Sequence, residues 1–198
     1  MESLRRAYSD GTLTVAGVRL WNAVHSETWR HREASCEAFY QFLTNPKGLP
    51  PKYSKKTLDL FTATTEIAAI ACRDKLLQIY FLGLKLLEEA LSPKICGGDV
   101  PAKTVDRAIR PFVRLLIDKV GEMNYRARDI SLNTLRMLFR HPAVELRHAI
   151  EGIMDITERP PGPAKAQWRL VSARLEILHQ LIKEFGVNDR VWNWQIVY

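Results

Sequence analysis

Four short stretches of this 198-residue chain share one pattern, and that pattern limits the possible folds more than any other feature. Glu27-Thr28-Trp29-Arg30-His31-Arg32-Glu33-Ala34-Ser35 reads as a polar turn running straight into a helix. Asn124-Tyr125-Arg126-Ala127-Arg128-Asp129-Ile130-Ser131 repeats it as an aromatic, Arg, any residue, Arg, an acid, an apolar residue and Ser. A looser copy lies at Gln167-Trp168-Arg169 and a degenerate one at Arg73-Asp74-Lys75. Large apolar residues follow each copy in the same helical register: Phe39 and Phe42, Leu84 and Leu87, Leu135 and Leu138, Leu178 and Leu181. With Arg30, Lys75, Arg126 and Arg169 taken as equivalent, the copies are spaced by 45, 51 and 43 residues.

A recurrence of about 40–47 residues with two helices per unit is the spacing of HEAT-type repeats. The expected fold is therefore all-α, an α-solenoid of about four stacked helical hairpins plus a C-terminal cap. Residues 1–11 read as a polar lead-in, and 12–198 as a single domain. The first helix is expected from Thr12 to Val24. The second runs to Leu43, with Ser26 or Thr28 as its cap, and ends before the breaker at 45–51. The second hairpin starts near Ser54, breaks at Ala71-Cys72-Arg73, and resumes with Asp74 as cap for a helix carrying Leu76, Leu77, Ile79, Tyr80, Leu84, Leu87 and Leu91. So apolar a helix belongs inside the stack. Ser92 through Asp99 reads as a connector. The third hairpin begins near Pro101, with a kink or break expected at Pro111, and turns at Gly121-Glu122-Met123-Asn124. His141-Pro142 separates it from the fourth, which runs from Val144 to Ile156, through a proline-rich turn at 158–165, to a helix from Ala166 to Phe185. Gly186 is a natural stop. The apolar tail, Val191 to Tyr198, supplies the expected cap.

Composition narrows the function. No stretch has the roughly 18–20 uninterrupted apolar residues that a membrane span needs, and the N-terminus lacks the apolar run of a signal peptide. Three cysteines with no Cys-x-x-Cys give no metal site. Cys36 and Cys72 fall in helical patterns as ordinary buried thiols, which fits a reducing cytosolic compartment. The five histidines are scattered over different hairpins, and Glu88-Glu89 reads as a solvated face. Phosphate-cradling loops and nucleophile motifs are missing. Neither an enzyme nor a cofactor is expected.

What remains is a surface. The chain is basic, with a net charge of +7, which points to an acidic partner. Stacked hairpins set equivalent turns side by side, so Trp29, Arg30, Arg73, Lys75, Asn124, Tyr125, Arg126, Lys165, Trp168 and Arg169 are expected along one edge. A base in the first helical turn opposes the helix dipole, whereas Arg and Trp often dominate binding interfaces. Packing competes with this reading at each position. Arg32 and Arg128, each followed by an acid, read as a structural ladder between repeats. Tyr125, Trp168 and Arg169 could pack, and Trp29 has the strongest claim to exposure. A general helical scaffold that uses the same edge for a peptide or another protein would bury Trp29. A nucleic-acid binder would need a denser run of bases than this chain has, so no nucleic acid or membrane is expected as partner.

These turn residues resemble those of a TOG domain, the tubulin-binding HEAT-repeat module of microtubule plus-end regulators. The likeness rests on Trp29 followed by Arg32-Glu33-Ala34, on the Asn124 turn with Arg126 and Arg128, and on the apolar hairpins between, covering nearly the whole chain. The proline-rich last turn with Trp168-Arg169 and Ala173-Arg174-Leu175-Glu176 is most similar to the single TOG domain of a ciliary-tip centrosomal protein. The resemblance implies binding of the αβ-tubulin heterodimer. Trp29 would insert against β-tubulin beside Lys75 and the Asn124–Arg126 turn, and Lys165 and Arg169 would face α-tubulin. It also implies a monomeric domain in the cytoplasm and cytoskeleton, at the centriole or cilium tip, with other ciliary or centrosomal partners reached through a parent chain. Four hairpins against the family's common six, and a second turn without an aromatic, are departures from the pattern.

Overall fold

The computed structural model describes residues 19–45, 57–97, 100–154 and 164–186, and every regular element among them is helical. Residues 19–24 form α1. They are followed by α2 (Trp29–Thr44), α3 (Thr57–Ala71), α4 (Leu77–Ala90), α5 (Pro93–Cys96), α6 (Ala102–Val120), α7 (Tyr125–Arg140), α8 (Leu146–Met154) and α9 (Ala164–Phe185). The helix pairs expected from the repeat spacing are present. The short α5 is an addition within what the sequence presents as a connector. The lead-in, the start of the first helix, the breaker after Asn45, most of the proline-rich turn and the apolar tail lie outside the described residues. The chain divides into two compact units, Met1–Pro101 and Ala102–Tyr198.

In the first unit α4 is the centre, packed against both α2 and α3. Its sequence is apolar around most of its circumference, and Ile79, Tyr80, Leu86, Leu87 and Ala90 are all at most 1% exposed. Burying each large side chain of this kind contributes about 1.5–3 kcal/mol. Phe39 and Leu43 of α2 and Phe61 and Ile67 of α3 complete the core. Gly83 lets α4 approach the end of α3 closely, since a Cβ there would lie 2.7 Å from the Cys72 backbone nitrogen and 2.8 Å from its Sγ. Lys94 closes the C-terminal end of α2 by donating to the Leu43 carbonyl, a favourable place for a cation.

In the second unit, α6 packs on α7, α8 and α9. Its core face is Val105, Ile109, Phe112, Val113, Leu116, Ile117 and Val120. The helix runs unbroken through Pro111, so of the kink or break expected there the break is absent. Pro111 is exposed, so the carbonyl that loses its helical partner lies on the side where water can take its place. Asp106, five residues before Pro111, is only 4% exposed and does structural work that the sequence pattern does not reveal. It accepts a hydrogen bond from the Glu145 backbone N–H at 3.1 Å and pairs with Arg110 at 2.6 Å, anchoring the start of α8. Ala173, Ile177 and Leu181 give α9 its buried face, and Gly186, with φ 72°, ends that helix as expected.

Gly83→Ala should keep the helical content but destabilise the protein by about 1–3 kcal/mol, because the clash is with backbone and a packed sulfur. Urea unfolding followed by circular dichroism would measure it. An unchanged midpoint would show that the α3–α4 contact is looser than these distances.

Candidate functional site

Both full copies of the repeated motif divide their residues in the same way. In the first, Trp29 opens α2 and is 40% exposed, with the Arg30 guanidinium over its ring at 5.5 Å from the centroid. The contact gives Arg30 an electrostatic partner at a helix end that otherwise disfavours cations. Arg32, three residues along, turns inward. Its Nε and Nη2 donate to Asp74 at 2.6 and 3.3 Å, and its Nη1 donates to the Ser26 and Glu27 carbonyls, both at 2.9 Å. One guanidinium thus ties the turn before α2 to the turn before α4. Arg73 and Lys75, exposed on either side of Asp74, are thereby carried beside the Trp29 turn.

The expected caps differ in detail. Thr28 occupies the N-cap position of α2 without a side-chain bond, and the Ser26 hydroxyl accepts from the Thr28 N–H instead. Asp74 is not the N-cap of α4, because that position belongs to Leu76. The carboxylate accepts from the Leu76 N–H at 2.9 Å while also holding Arg32. Burial raises its pKa, but the hydrogen bonds from Arg32 and Leu76 outweigh burial and hold the carboxyl below its ordinary value.

In the second copy Asn124 is a true cap, its side chain accepting from the Ala127 N–H at 3.1 Å. Tyr125 follows at 78% exposure, so it does not pack, and Arg126 is exposed beside it. Arg128, the counterpart of Arg32, pairs with Glu176 of α9. Both serines bond back to their own helix, though to different carbonyls: Ser35 donates to that of Arg32, and Ser131 to that of Ala127, the counterpart of His31. Both arginine ladders read from the sequence are therefore present. A third rung, Arg140 to Glu184, has a partner 44 residues away and carries no local signal.

Trp168 and Arg169 lie on α9, which begins at Ala164 rather than Ala166 and so places them in its second turn. Trp168 is 69% exposed and Arg169 half-exposed. The Gly121 turn lies close to them, for a Cβ on Gly121 would meet the Leu170 Cα at 3.2 Å. Lys165 falls in the first turn of α9, and its side chain lies outside the described residues.

Chemically each unit presents exposed aromatics and cations at its turns. Among the described residues there is no cluster of three or more His, Cys, Asp or Glu able to hold a metal. Burial pushes the Cys36 thiol up to about 11, which removes the thiolate needed of a nucleophile. No described helix is long and apolar enough to cross a membrane.

A family model described as the TOG domain of centrosomal protein CEP104 matches residues 7–197. No curated protein matches by sequence. Among solved structures, that of the human Cep104 TOG domain is similar with a TM-score of 0.71 at 18% identity, over 96% of this chain and 70% of the other. A second CEP104 TOG domain structure gives 0.72 at 18% identity, over 96% and 72%. The likeness places the chain in the HEAT-type α-solenoid class.

The Arg32–Asp74 clamp makes a pH prediction. A depressed folded pKa contributes stability that is present above the ordinary carboxylate value, about 3.9, and is lost as pH falls through the lower folded value. Asp74→Asn should cost about 1–3 kcal/mol at neutral pH and flatten this part of the acid-side decline. Parallel denaturation curves at pH 7 and pH 3 test it, and equal acid sensitivity in both proteins would remove Asp74 as its source.

Proposed function

The chain belongs to the CEP104 TOG domain family, and from that premise we propose that it binds the αβ-tubulin heterodimer without catalysis, through the turn residues of its repeats. TOG domains are generally tubulin-binding modules. The observation that carries the reading is the division of labour within the motif. Arg32 and Arg128 are committed to internal ion pairs, whereas the aromatic and the base that precede them face outward. Packing alone leaves no reason to expose Trp29, Tyr125 and Trp168, each beside an arginine. An acidic protein partner supplies one: the cations steer it and set its register, and the aromatics provide buried contact area.

In this reading Trp29 inserts against β-tubulin, with Arg30, Arg73 and Lys75 of the same unit contributing, and the Asn124-Tyr125-Arg126 turn of the other unit also serves β-tubulin. Trp168, Arg169 and Lys165 serve the α-tubulin side. The parent protein would use the module at microtubule ends or at the ciliary tip, in the cytoskeleton.

Trp29→Glu should preserve the fold, because the side chain is exposed, and should weaken tubulin binding about 30-fold or more if Trp29 is a hot spot worth at least about 2 kcal/mol. Co-elution with unpolymerised αβ-tubulin at moderate salt, with circular dichroism as the folding control, is the measurement. Failure of the folded wild-type protein to co-elute even at low salt would overturn the proposal and favour another protein on the same residues.

A further inference from the structure

The outer face of α6 carries a single-sign stripe that the turn residues do not include. Lys103, Arg107, Arg110 and Arg114 are all exposed. At 3.6 residues per turn they fall within an arc of about 60° and run for about 16 Å along the helix. That arc is opposite the buried Val105, Ile109, Phe112 and Leu116. The other described helices of the chain show no such row. α3, the first helix of its own hairpin in the other unit, has Asp59 and Glu66 and no basic residue. On α6 the buried Asp106 engages Arg110 from below and so holds one cation of the row in place. The stripe starts about two turns before the Gly121–Asn124 turn and runs away from it.

We infer that this stripe is a docking lane for an extended acidic peptide segment of about five or six residues. Successive cations are separated by three or four residues, a rise of about 4.5–6 Å. An extended peptide sets alternate side chains about 6.6 Å apart, so the three same-side carboxylates of a six-residue segment span about 13 Å and lie within reach of the long side chains of the four bases. The lane is narrow. Exposed Asp118 stands at one end, and Glu145 stands beside it at the position tied to Asp106. Those carboxylates tolerate a single thin chain but repel the broad phosphate surface of a duplex. No aromatic lies among the four cations for bases to stack on, as single-stranded nucleic acid binding uses.

The test is fluorescence anisotropy of a labelled hexaglutamate peptide at about 50 mM salt, where screening of exposed charges is limited. The wild-type chain should bind it, and affinity should fall as salt rises. Lys103→Glu with Arg107→Glu should lose about tenfold or more. The neutral pair Lys103→Gln and Arg107→Gln should lose less, and it carries the test if the reversal fails to fold. Trp29→Glu with Tyr125→Glu should bind as wild type does, which separates this lane from the proposed tubulin contact. Absence of wild-type binding, equal binding by the stripe variants, loss confined to the turn variant, or tighter stripe-dependent binding of a short DNA duplex would each overturn the inference.

Discussion

The Arg32 guanidinium makes four hydrogen bonds, two to the carboxylate of Asp74 and two to carbonyls of the turn before α2. A rigid planar fork can satisfy all of these at once, which a lysine could not do. The bonds join a turn to its neighbour 42 residues later and fix where α2 starts relative to α4. The exposure of Trp29 depends on that position. Arg128 repeats the arrangement with Glu176, so each unit holds its turn residues by the same device. Apolar packing supplies the bulk of the stability, but packing of smooth helix faces tolerates sliding. The charge-assisted bonds, which have directional demands, set the register.

This separation of roles explains why neighbouring residues of the same chemical type behave differently. Arg30 and Arg32 are two positions apart, about 200° around a helix, so one must face away from the direction the other takes. Once the inward position is committed to Asp74, the outward one is left near Trp29, where the ring provides a soft electrostatic partner. The same arithmetic places Arg126 outward when Arg128 turns toward α9. For the proposed function this means side chains ordered in advance, and pre-ordering lowers the entropic cost of binding.

α6 shows the same geometry on a different face. Its apolar residues recur at helical spacing and occupy one side, which leaves the bases at 103, 107, 110 and 114 on the other. In the linear sequence these bases are interleaved with one acid, Asp106, and with apolar residues, and no dense run appears. The helix sorts them, sending Asp106 into the core and the cations outward. Pro111 sits on the same outer side, where its missing N–H leaves no unsatisfied group in the core.

The sequence by itself determined the helical class, the repeat, most helix boundaries, the buried cysteines and the two arginine ladders. Those features depend on periodicity and on local chemistry, which are written in consecutive residues. It also singled out the exposed turn residues, because an aromatic beside a base in a first helical turn is not what core packing or the helix dipole selects. The tertiary structure alone decided which residues answer those arginines. Asp74 binds Arg32 instead of serving as a simple cap, Glu176 binds Arg128, Glu184 binds Arg140, and Asp106 holds Glu145. The partners lie 39 to 48 residues apart, and which carboxylate comes within about 3 Å of which donor depends on how one hairpin is set against the next, a matter of packed volumes that no local pattern records.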